Sequence, residues 1–389
     1  MYFIILLGIV SLFGDITYEG ARSVTGPYLA TLGASASAVG LIAGIGEFVG
    51  YALRLASGHL VDRTKAYWLF TFIGYGLLIS VPLLAFAGYW QLAAVLIILE
   101  RMGKAIRNPA RDTMLSYAAK GVGRGWGFAV HEALDQIGAI IGPIAFSLVL
   151  LSHDTYQEGF KFLWIPALLT LVVLALARRR FPLPHELETP GEVSRQADTG
   201  KLPRVFWLYT VFTFVSMAGF AHFQLISYHL YHLEVQGQTV VAEAQIPMIY
   251  AIAMAVDAVA ALLVGKTYDK IGLTSLLAIP LLILPIPFLA FSHSYSLLLI
   301  GMMLWGVVMG IQETIMRAAI ADLTPIGRRG FAYGVFNTMY GAGWFLGSAL
   351  MGLLYGVSIN YLILFAVVME LISIPLFLLV RRAASLSPK

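Results

Sequence analysis

Residues 100–143 read ERMGKAIRNPARDTMLSYAAKGVGRGWGFAVHEALDQIGAIIGP. This stretch places Glu100, Arg101, Lys104, Arg107, Arg111, Glu132 and Asp135 inside two segments that otherwise have the apolar character of membrane-spanning helices. A charge at bilayer depth costs about 2.5–3.5 kcal/mol on insertion scales, so it is kept where it meets a partner or lines a water-filled cavity. Charges at this density mark a polar pathway through an apolar protein.

The rest of the chain has that apolar character. Of 389 residues, 59% are hydrophobic and 12% charged, about half the charged share of a soluble domain. Mean hydropathy is +0.82, and apolar runs of about 20 residues recur along the chain, as in a polytopic membrane protein. The 25 Lys and Arg against 21 Asp and Glu leave a net charge of +4. These basic residues sit in short loops instead of forming one basic face, which argues against nucleic acid as a partner. There is no cysteine, which excludes disulfides, thiolate chemistry and Cys-ligated metal. The opening MYFIILLGIV lacks a basic leader and a small-residue cleavage site, so it reads as the start of the first span.

Twelve spans are expected, at about 2–31, 37–57, 66–88, 90–118, 124–152, 160–178, 204–232, 242–264, 273–292, 294–321, 328–356 and 359–380. Helices are the natural element, because a spanning segment must satisfy its own backbone hydrogen bonds. The expected fold is an all-α membrane protein with twelve transmembrane helices in two pseudo-symmetric six-helix bundles. Residues 1–178 form the first bundle, 179–203 a cytoplasmic linker rich in Pro, Glu and Arg, and 204–389 the second bundle.

Alternate loops carry the basic residues: Arg63 and Lys65; Lys120 and Arg124; Arg178 to Arg180, Arg195, Lys201 and Arg204; Lys266 and Lys270; Arg328 and Arg329. The opposite loops carry only Lys161. The positive-inside rule then puts both termini and the linker in the cytoplasm and the protein in the cell membrane. The halves also repeat. Gly58-x-x-x-Asp62-Arg63 returns 207 residues later as Gly265-x-x-x-Asp269-Lys270. Arg124-Gly-Trp-Gly-Phe returns 205 residues later as Arg329-Gly-Phe-Ala-Tyr, and the spacing of Gly138 and Gly142 recurs at Gly343 and Gly347. Duplicated halves meeting at a midplane site are a transporter signature.

Gly58-His-Leu-Val-Asp62-Arg63 and Gly265-Lys-Thr-Tyr-Asp269-Lys270 resemble the loop motif G-x-x-x-D-R-x-G-R of the major facilitator superfamily. The likeness covers twelve spans, the linker and the motif in both equivalent loops. The first copy departs at Lys65-Ala66, where Gly-Arg is usual; the second keeps Gly272, followed by Leu273. The resemblance implies a conformational latch at the cytoplasmic face made by Gly58, Asp62, Arg63, Gly265, Asp269 and Lys270. Gly138-x-x-x-Gly142-Pro143 is similar to a motif found mainly in the superfamily's exporters, although small-x-x-x-small spacing also serves helix packing. The phrases GKAIRNPARD and HEALDQIGAIIGP resemble an exporter-like subgroup of bacterial and archaeal members.

Asp15, Glu19 and Arg22 share one helical face of span one, and span two carries Glu47 and Arg54. Span four carries Arg101, Lys104, Arg107 and Arg111 as a stripe about 15 Å long, and span five carries Glu132 and Asp135 one turn apart. Depth counting puts Asp15, Arg101 and Asp135 near mid-bilayer, and a carboxylate at Asp135 has two stable states: ionised beside a cation such as Arg101, or neutral when that cation turns to substrate or the cavity dries. Two readings stand. Either the acids neutralise span four in a buried structural network, or some pairs open during transport, with Asp135, Asp15, Glu132 and Glu19 as proton-coupling candidates. The expected substrate cavity is lined by Arg101, Lys104, Arg107 and Arg22, together with His222, Gln224, Gln312, Glu313, Arg317, Asn337 and Tyr340 of the second half. Glu100 points about 100° away from Arg101 around the helix and reads as structural. Spans three, six and nine have no charge in their apolar stretches and are expected to face lipid. Span twelve matches them except for Glu370, which the sequence does not explain.

These features favour a secondary active transporter working by alternating access. The leading expectation is proton-coupled export of an anionic or amphiphilic small organic solute; the alternatives are a proton-coupled importer and a multidrug/proton antiporter. A non-transporting receptor leaves the intramembrane charges unexplained. No phosphate-binding G-x-x-x-x-G-K-[ST] loop occurs, so direct drive by ATP is not expected. No nucleophile–base pair marks an enzyme. No cofactor or metal is expected, and the expected partners are the solute, protons and the lipid bilayer, with the chain a monomer.

Overall fold

The computed structural model describes residues 1–119, 124–184, 202–324 and 329–386; at 124, 125, 269, 317, 321, 329, 330 and 386 only the backbone is described. Span one is Tyr2–Arg22 continued by Thr25–Thr31, span two Ala36–Thr64, span three Tyr67–Phe86, span four Trp90–Ala119, span five Arg124–His153 and span six Tyr156–Arg180. Span seven is Arg204–Val235, span eight Ile246–Ile271, span nine Gly272–Ala290, span ten Tyr295–Leu323, span eleven Arg329–Val357 and span twelve Ile359–Leu386. Ten of these, among the described residues, are long and apolar enough to cross a membrane. Spans four and eleven complete the twelve, and span four falls short because its charges dilute its hydropathy. No described residue lies in a β-strand. The chain is a multi-pass, all-α membrane protein.

The structure moves several boundaries. Span two does not stop before its Gly-x-x-x-Asp-Arg sequence but carries it as its last turns, to Thr64, and span eight does the same to Ile271. What ends each helix is a left-handed residue at the equivalent position: Lys65 with φ 55° and Gly272 with φ 56°. Glycine adopts that conformation without steric cost and commonly terminates helices in this way; in the first copy a lysine bears it. Hydropathy could not place these ends, because both helices continue as polar turns.

Span seven is not the continuous helix expected over 204–232. It breaks between Arg204–Gly219 and Phe223–Val235, with Phe220 (φ −90°, ψ 110°) and His222 (φ −68°, ψ 142°) extended. An unwound segment at membrane depth frees carbonyls that must find donors inside the protein. Here two indoles supply them: Trp305 Nε1 donates to Ala221 O and Trp344 Nε1 to Phe220 O, both at 3.0 Å.

The chain packs as two compact units. The first contains Met1–Gly33, the first-half chain from Ala52, and Ala244–Ala251; the second contains Ala34–Tyr51 with the remainder of the second half. Spans two and eight are therefore each divided between the units. In the first unit, span five lies on span one through glycines: a Cβ on Gly142 would meet Ile16 O at 2.5 Å and Gly20 N at 2.9 Å. The second unit repeats the device, with Gly343 and Gly347 of span eleven against Phe214 and Ala218 of span seven. Spans three, six, nine and twelve expose apolar side chains such as Ile73, Leu168, Val172, Leu281, Leu371 and Leu379. Glu370 now has an account. It is wholly buried, and its Oε2 accepts at 3.0 Å from the Ser216 hydroxyl of span seven and from the Ser373 hydroxyl one turn along its own helix, so the carboxyl has polar partners without solvent.

Candidate functional site

The first unit gathers the charged residues of spans one, four and five around two tyrosines. A helical spacing of three and four turns Arg101, Lys104, Arg107 and Arg111 toward neighbouring spans. Arg101, 6% exposed, donates from Nη1 to the Tyr18 hydroxyl. Its guanidinium carbon stands 4.6 Å from the centre of the Tyr18 ring, Lys104 Nζ 4.1 Å and the Arg22 carbon 5.9 Å. Three cations thus share one aromatic ring, an attraction of about 0.5–2 kcal/mol for a single pair, depending on desolvation. Arg22 Nη1 is 3.7 Å from Glu19 Oε1, and the Tyr250 hydroxyl donates to Glu19 Oε2 at 2.7 Å.

One turn along span four, Arg107 lies 4.7 Å over the Tyr75 ring with Nη2 3.8 Å from Glu100 Oε1. Glu100 Oε2 is also 3.8 Å from Arg101 Nε. The residue read as pointing away from the stripe is in fact its buried counter-ion, because Glu100 and Arg107 are two turns apart on one face. Arg111 donates to Ser11 Oγ at 3.1 Å and lies 2.9 Å from Asp112. The same serine oxygen is 3.0 Å from His131 Nε2 and 3.1 Å from the Tyr75 hydroxyl.

Asp15 and Asp135 face the same interior. The charges acting on Asp15 include Asp135, Lys104, Glu19 and Arg107. Those acting on Asp135 are Arg111, His131 and Lys104. The expected pairing of Asp135 with Arg101 is therefore replaced: Arg101 is turned to Tyr18 and Glu100, and Arg111 and Lys104 serve Asp135 instead. Glu132 is exposed. His131, Glu132 and Asp135 bring one donor atom each within 4.8 Å of one another, but the neighbouring Arg111 opposes a metal cation there.

In the second unit the site residues cluster at the break in span seven. His222 stacks on Trp344 with ring centres 4.0 Å apart and planes at 12°. Gln224 opens the second half-helix and is buried. The Tyr340 hydroxyl donates to Gln312 Oε1 at 2.9 Å, and its ring meets Trp344 at 5.7 Å. Glu313 and Asn337 are half-buried, and the Arg317 side chain lies outside the described residues. Of the latch residues, Asp62, Arg63 and Lys270 are exposed, Gly58 and Gly265 half-buried, and the Asp269 side chain lies outside the described residues. The linker from 185 to 201 is likewise outside them.

Reading charge alone missed Ser11, Tyr18, Tyr75, His131 and Tyr250. A signal existed for two of them: Ser11 and His131 each stand four residues before a half-buried carboxylate, Asp15 and Asp135, on the same helical face. Nothing local marks Tyr18, Tyr75 or Tyr250.

Comparison with known proteins gives a consistent picture. The family model described as Major Facilitator Superfamily matches residues 5–284 and 238–389. An uncharacterized protein of Mycobacterium tuberculosis is 41% identical over 97% of this chain and 93% of its own length. An MFS-type transporter of Methanocaldococcus jannaschii is 26% identical over 95% of this chain and 92% of its own. Among solved structures, nucleoside transporter NupG superposes with a TM-score of 0.75 at 13% identity, covering 98% of this chain and 99% of its own. A bacterial homolog of the human lysosomal transporter Spinster superposes with a TM-score of 0.75 at 14% identity, covering 100% and 98%. At such identities the superpositions speak for the fold.

Proposed function

Because this chain belongs to the major facilitator superfamily, we propose that its transport is proton-coupled export of a small organic solute that is anionic or carries an anionic group. The observation that carries this reading is one cation shared by two carboxylates: Lys104 acts on both Asp15 and Asp135. A carboxylate releases its proton when a cation pairs with it and takes one up when the cation leaves. When Lys104 or Arg111 turns to an anionic solute, a proton takes its place on the acid; when the solute departs, the cation returns and the proton is released. Asp135 is the favoured carrier, with Asp15 next, then Glu19 and Glu132. Arg22, Arg101, Lys104 and Arg107 supply positive charge for the solute. The span-seven break, with His222, Gln224, Gln312 and Tyr340, supplies aromatic and amide surface, since discontinuous helices are where carriers of this kind build binding sites.

Export remains the proposed direction, although the Gly138–Gly142 pair is also accounted for as helix packing. Asp62, Arg63, Asp269 and Lys270 are proposed to latch the cytoplasmic face, with both termini and the linker cytoplasmic, in the cell membrane, in a monomer. The orientation is checked by a cysteine at Ser194, unambiguous in a chain with no cysteine of its own. Its labelling by an impermeant external reagent in right-side-out vesicles would reverse the orientation.

The functional test begins with a screen of small organic anions for thermal stabilisation, where a ligand at 100 times its Kd adds about 2.7 kcal/mol. Proteoliposomes carrying Asp135→Asn are then expected to lose pH-gradient-driven accumulation of the best anion, by more than they lose its exchange at equal pH. Accumulation that responds to the gradient as in the parent protein removes Asp135 from the role. Stabilisation by neutral solutes only would remove the anionic substrate.

A further inference from the structure

Glu370 is the buried acid that the charged path of the first unit does not use. It stands in the apolar stretch of span twelve, whose other charged residues, Arg381 and Arg382, lie near the end of the helix. Its partners are two hydroxyls. Ser216 Oγ of span seven lies 3.0 Å from Oε2 and 3.4 Å from Oε1, and Ser373 Oγ lies 3.0 Å from Oε2. The Ser373 oxygen is also 2.9 Å from the Glu370 carbonyl oxygen.

These partners suit a neutral carboxyl and not an ionised one. A carboxylate offers about four lone-pair sites, and burying its charge requires a cation or several donors. Among the described residues this pocket supplies two hydroxyl protons, and the one on Ser373 is shared between Oε2 and the Glu370 carbonyl. Cations are distant: Arg204 stands twelve residues before Ser216 and Arg381 eleven after Glu370, about 18 and 17 Å along their helices. Span nine, which packs on span twelve, has no titratable side chain. The other titratable groups on the described parts of the packed helices are Tyr209 of span seven, Tyr333, Tyr340 and Tyr355 of span eleven, and Tyr361 of span twelve itself. Tyr209 donates to Met316 O, Tyr340 donates to Gln312 and Tyr355 meets His229 Nδ1, while Ser216 and Ser373 are the groups that act on the Glu370 carboxyl. In the neutral acid every proton has a place. The carboxyl donates from Oε2 to Ser373 Oγ, Ser373 turns its own proton to the Glu370 carbonyl, and Ser216 donates to the carboxyl.

We propose that Glu370 is a proton-binding site of the second unit, at which a neutral carboxyl bridges span twelve to the last turn of span seven before its break. Gly219, the final residue of the first half-helix, shows how tightly the seam is closed. A Cβ there would meet Glu370 Oε1 at 2.6 Å, and both Ala366 O and Met369 Cβ at 3.1 Å. An ionised group in this seam would need water or a cation, and admitting either parts span twelve from the end of the half-helix. Proton loss and opening of the seam are therefore one event. The Glu370 O–H bond breaks, the proton passes to the entering water, and the carboxylate is left hydrated. The site shares no residue with the cluster around Asp15 and Asp135, and it stands whether or not transport is proton-coupled.

The test is infrared spectroscopy of the full chain in lipid bilayers at pH 7, with no solute and no gradient. A protonated-carboxyl band is expected that disappears in Glu370→Gln and persists in Asp135→Asn. Ser216→Ala and Ser373→Ala each remove one hydrogen-bond partner, so each is expected to shift the frequency of that band without removing it. Gly219→Ala, whose new Cβ falls against Oε1, is expected to shift it as well, whereas Gly76→Ala, with nothing within 4 Å of its Cβ, leaves it in place. If Glu370→Gln does not fold, the band is identified by its common response to the two serine variants, which keep the acid. The proposal is overturned if Glu370→Gln folds and removes no band at pH 7, if neither serine variant moves any protonated-carboxyl band, or if the band ignores Gly219→Ala. Neither result bears on the Asp135 experiment in proteoliposomes, which tests a different acid in the other unit.

Discussion

Glu100→Gln is expected to lower the unfolding free energy by about 3–5 kcal/mol, although it alters a single atom of the side chain and leaves no cavity. The reason is what it strands. Arg107 is 2% exposed, its Nε and Nη1 have no hydrogen-bond partner, and Glu100 Oε1 at 3.8 Å is the carboxylate oxygen that balances it. Neutralising Glu100 leaves a buried guanidinium with the face of Tyr75, 4.7 Å away, and the charge of Asp15, which Lys104 shares. A cation–π contact contributes about 0.5–2 kcal/mol, which is too little to offset an uncompensated buried charge. Pairing the change with Arg107→Met should restore most of the loss, because the desolvation cost of the cation goes with it. Chemical unfolding in detergent checks both variants. Equal losses in the single and double variants would mean that the pair is not the source of the effect.

Gly142→Leu is the second large effect, expected at about 3 kcal/mol, the upper part of the usual range for overpacking. Both atoms that its Cβ would meet, Ile16 O and Gly20 N at 2.5 and 2.9 Å, belong to the backbone of span one. A side chain can change rotamer to make room, but helix backbone cannot, so spans one and five must separate. Because Asp15 and Asp135 sit on those two spans, the separation also opens the charged cluster, and binding of the stabilising anion should fall with stability. Gly76→Ala is the control: nothing lies within 4 Å of its added Cβ, and removing a helical glycine stabilises by roughly 0.5–1 kcal/mol. If the two variants melt alike, the close approach at Gly142 does not hold the spans together.

What could be read along the chain was whatever depends on local cost. Burial of apolar runs, the price of a charge in hydrocarbon and the helical period together determine the number of spans, the basic loops and the stripe on span four. The repeat was equally legible, and the structure extends it: Lys65 and Gly272, 207 positions apart like the motifs before them, both take the left-handed conformation that ends a helix. The residue types of the site were legible too, since Asp15, Glu19, Lys104, Arg107 and Asp135 stand out in any apolar helix.

Partnership was not legible. Ser11 meets Tyr75 across 64 residues and His131 across 120, and Glu19 meets Tyr250 across 231. Such pairs depend on how far each helix is rotated about its own axis, and hydropathy is nearly blind to that rotation in a helix apolar on most sides. For the same reason the sequence assigns Glu100 a structural role without showing that Arg107 is its partner, and suggests a cation such as Arg101 for Asp135 where Arg111 and Lys104 act on it. The break in span seven was hidden because MAGFAH carries no proline and stays apolar. Its stability comes from Trp305 and Trp344, 84 and 124 residues from the carbonyls they satisfy. The sequence alone determined that this is a twelve-span, duplicated membrane protein with charges along an internal path, because each of those properties is priced residue by residue by the bilayer. Only the tertiary structure decided which acid meets which cation, and which hydroxyls meet His131, Arg111 and Glu19, because those depend on the packing of helices far apart in the chain.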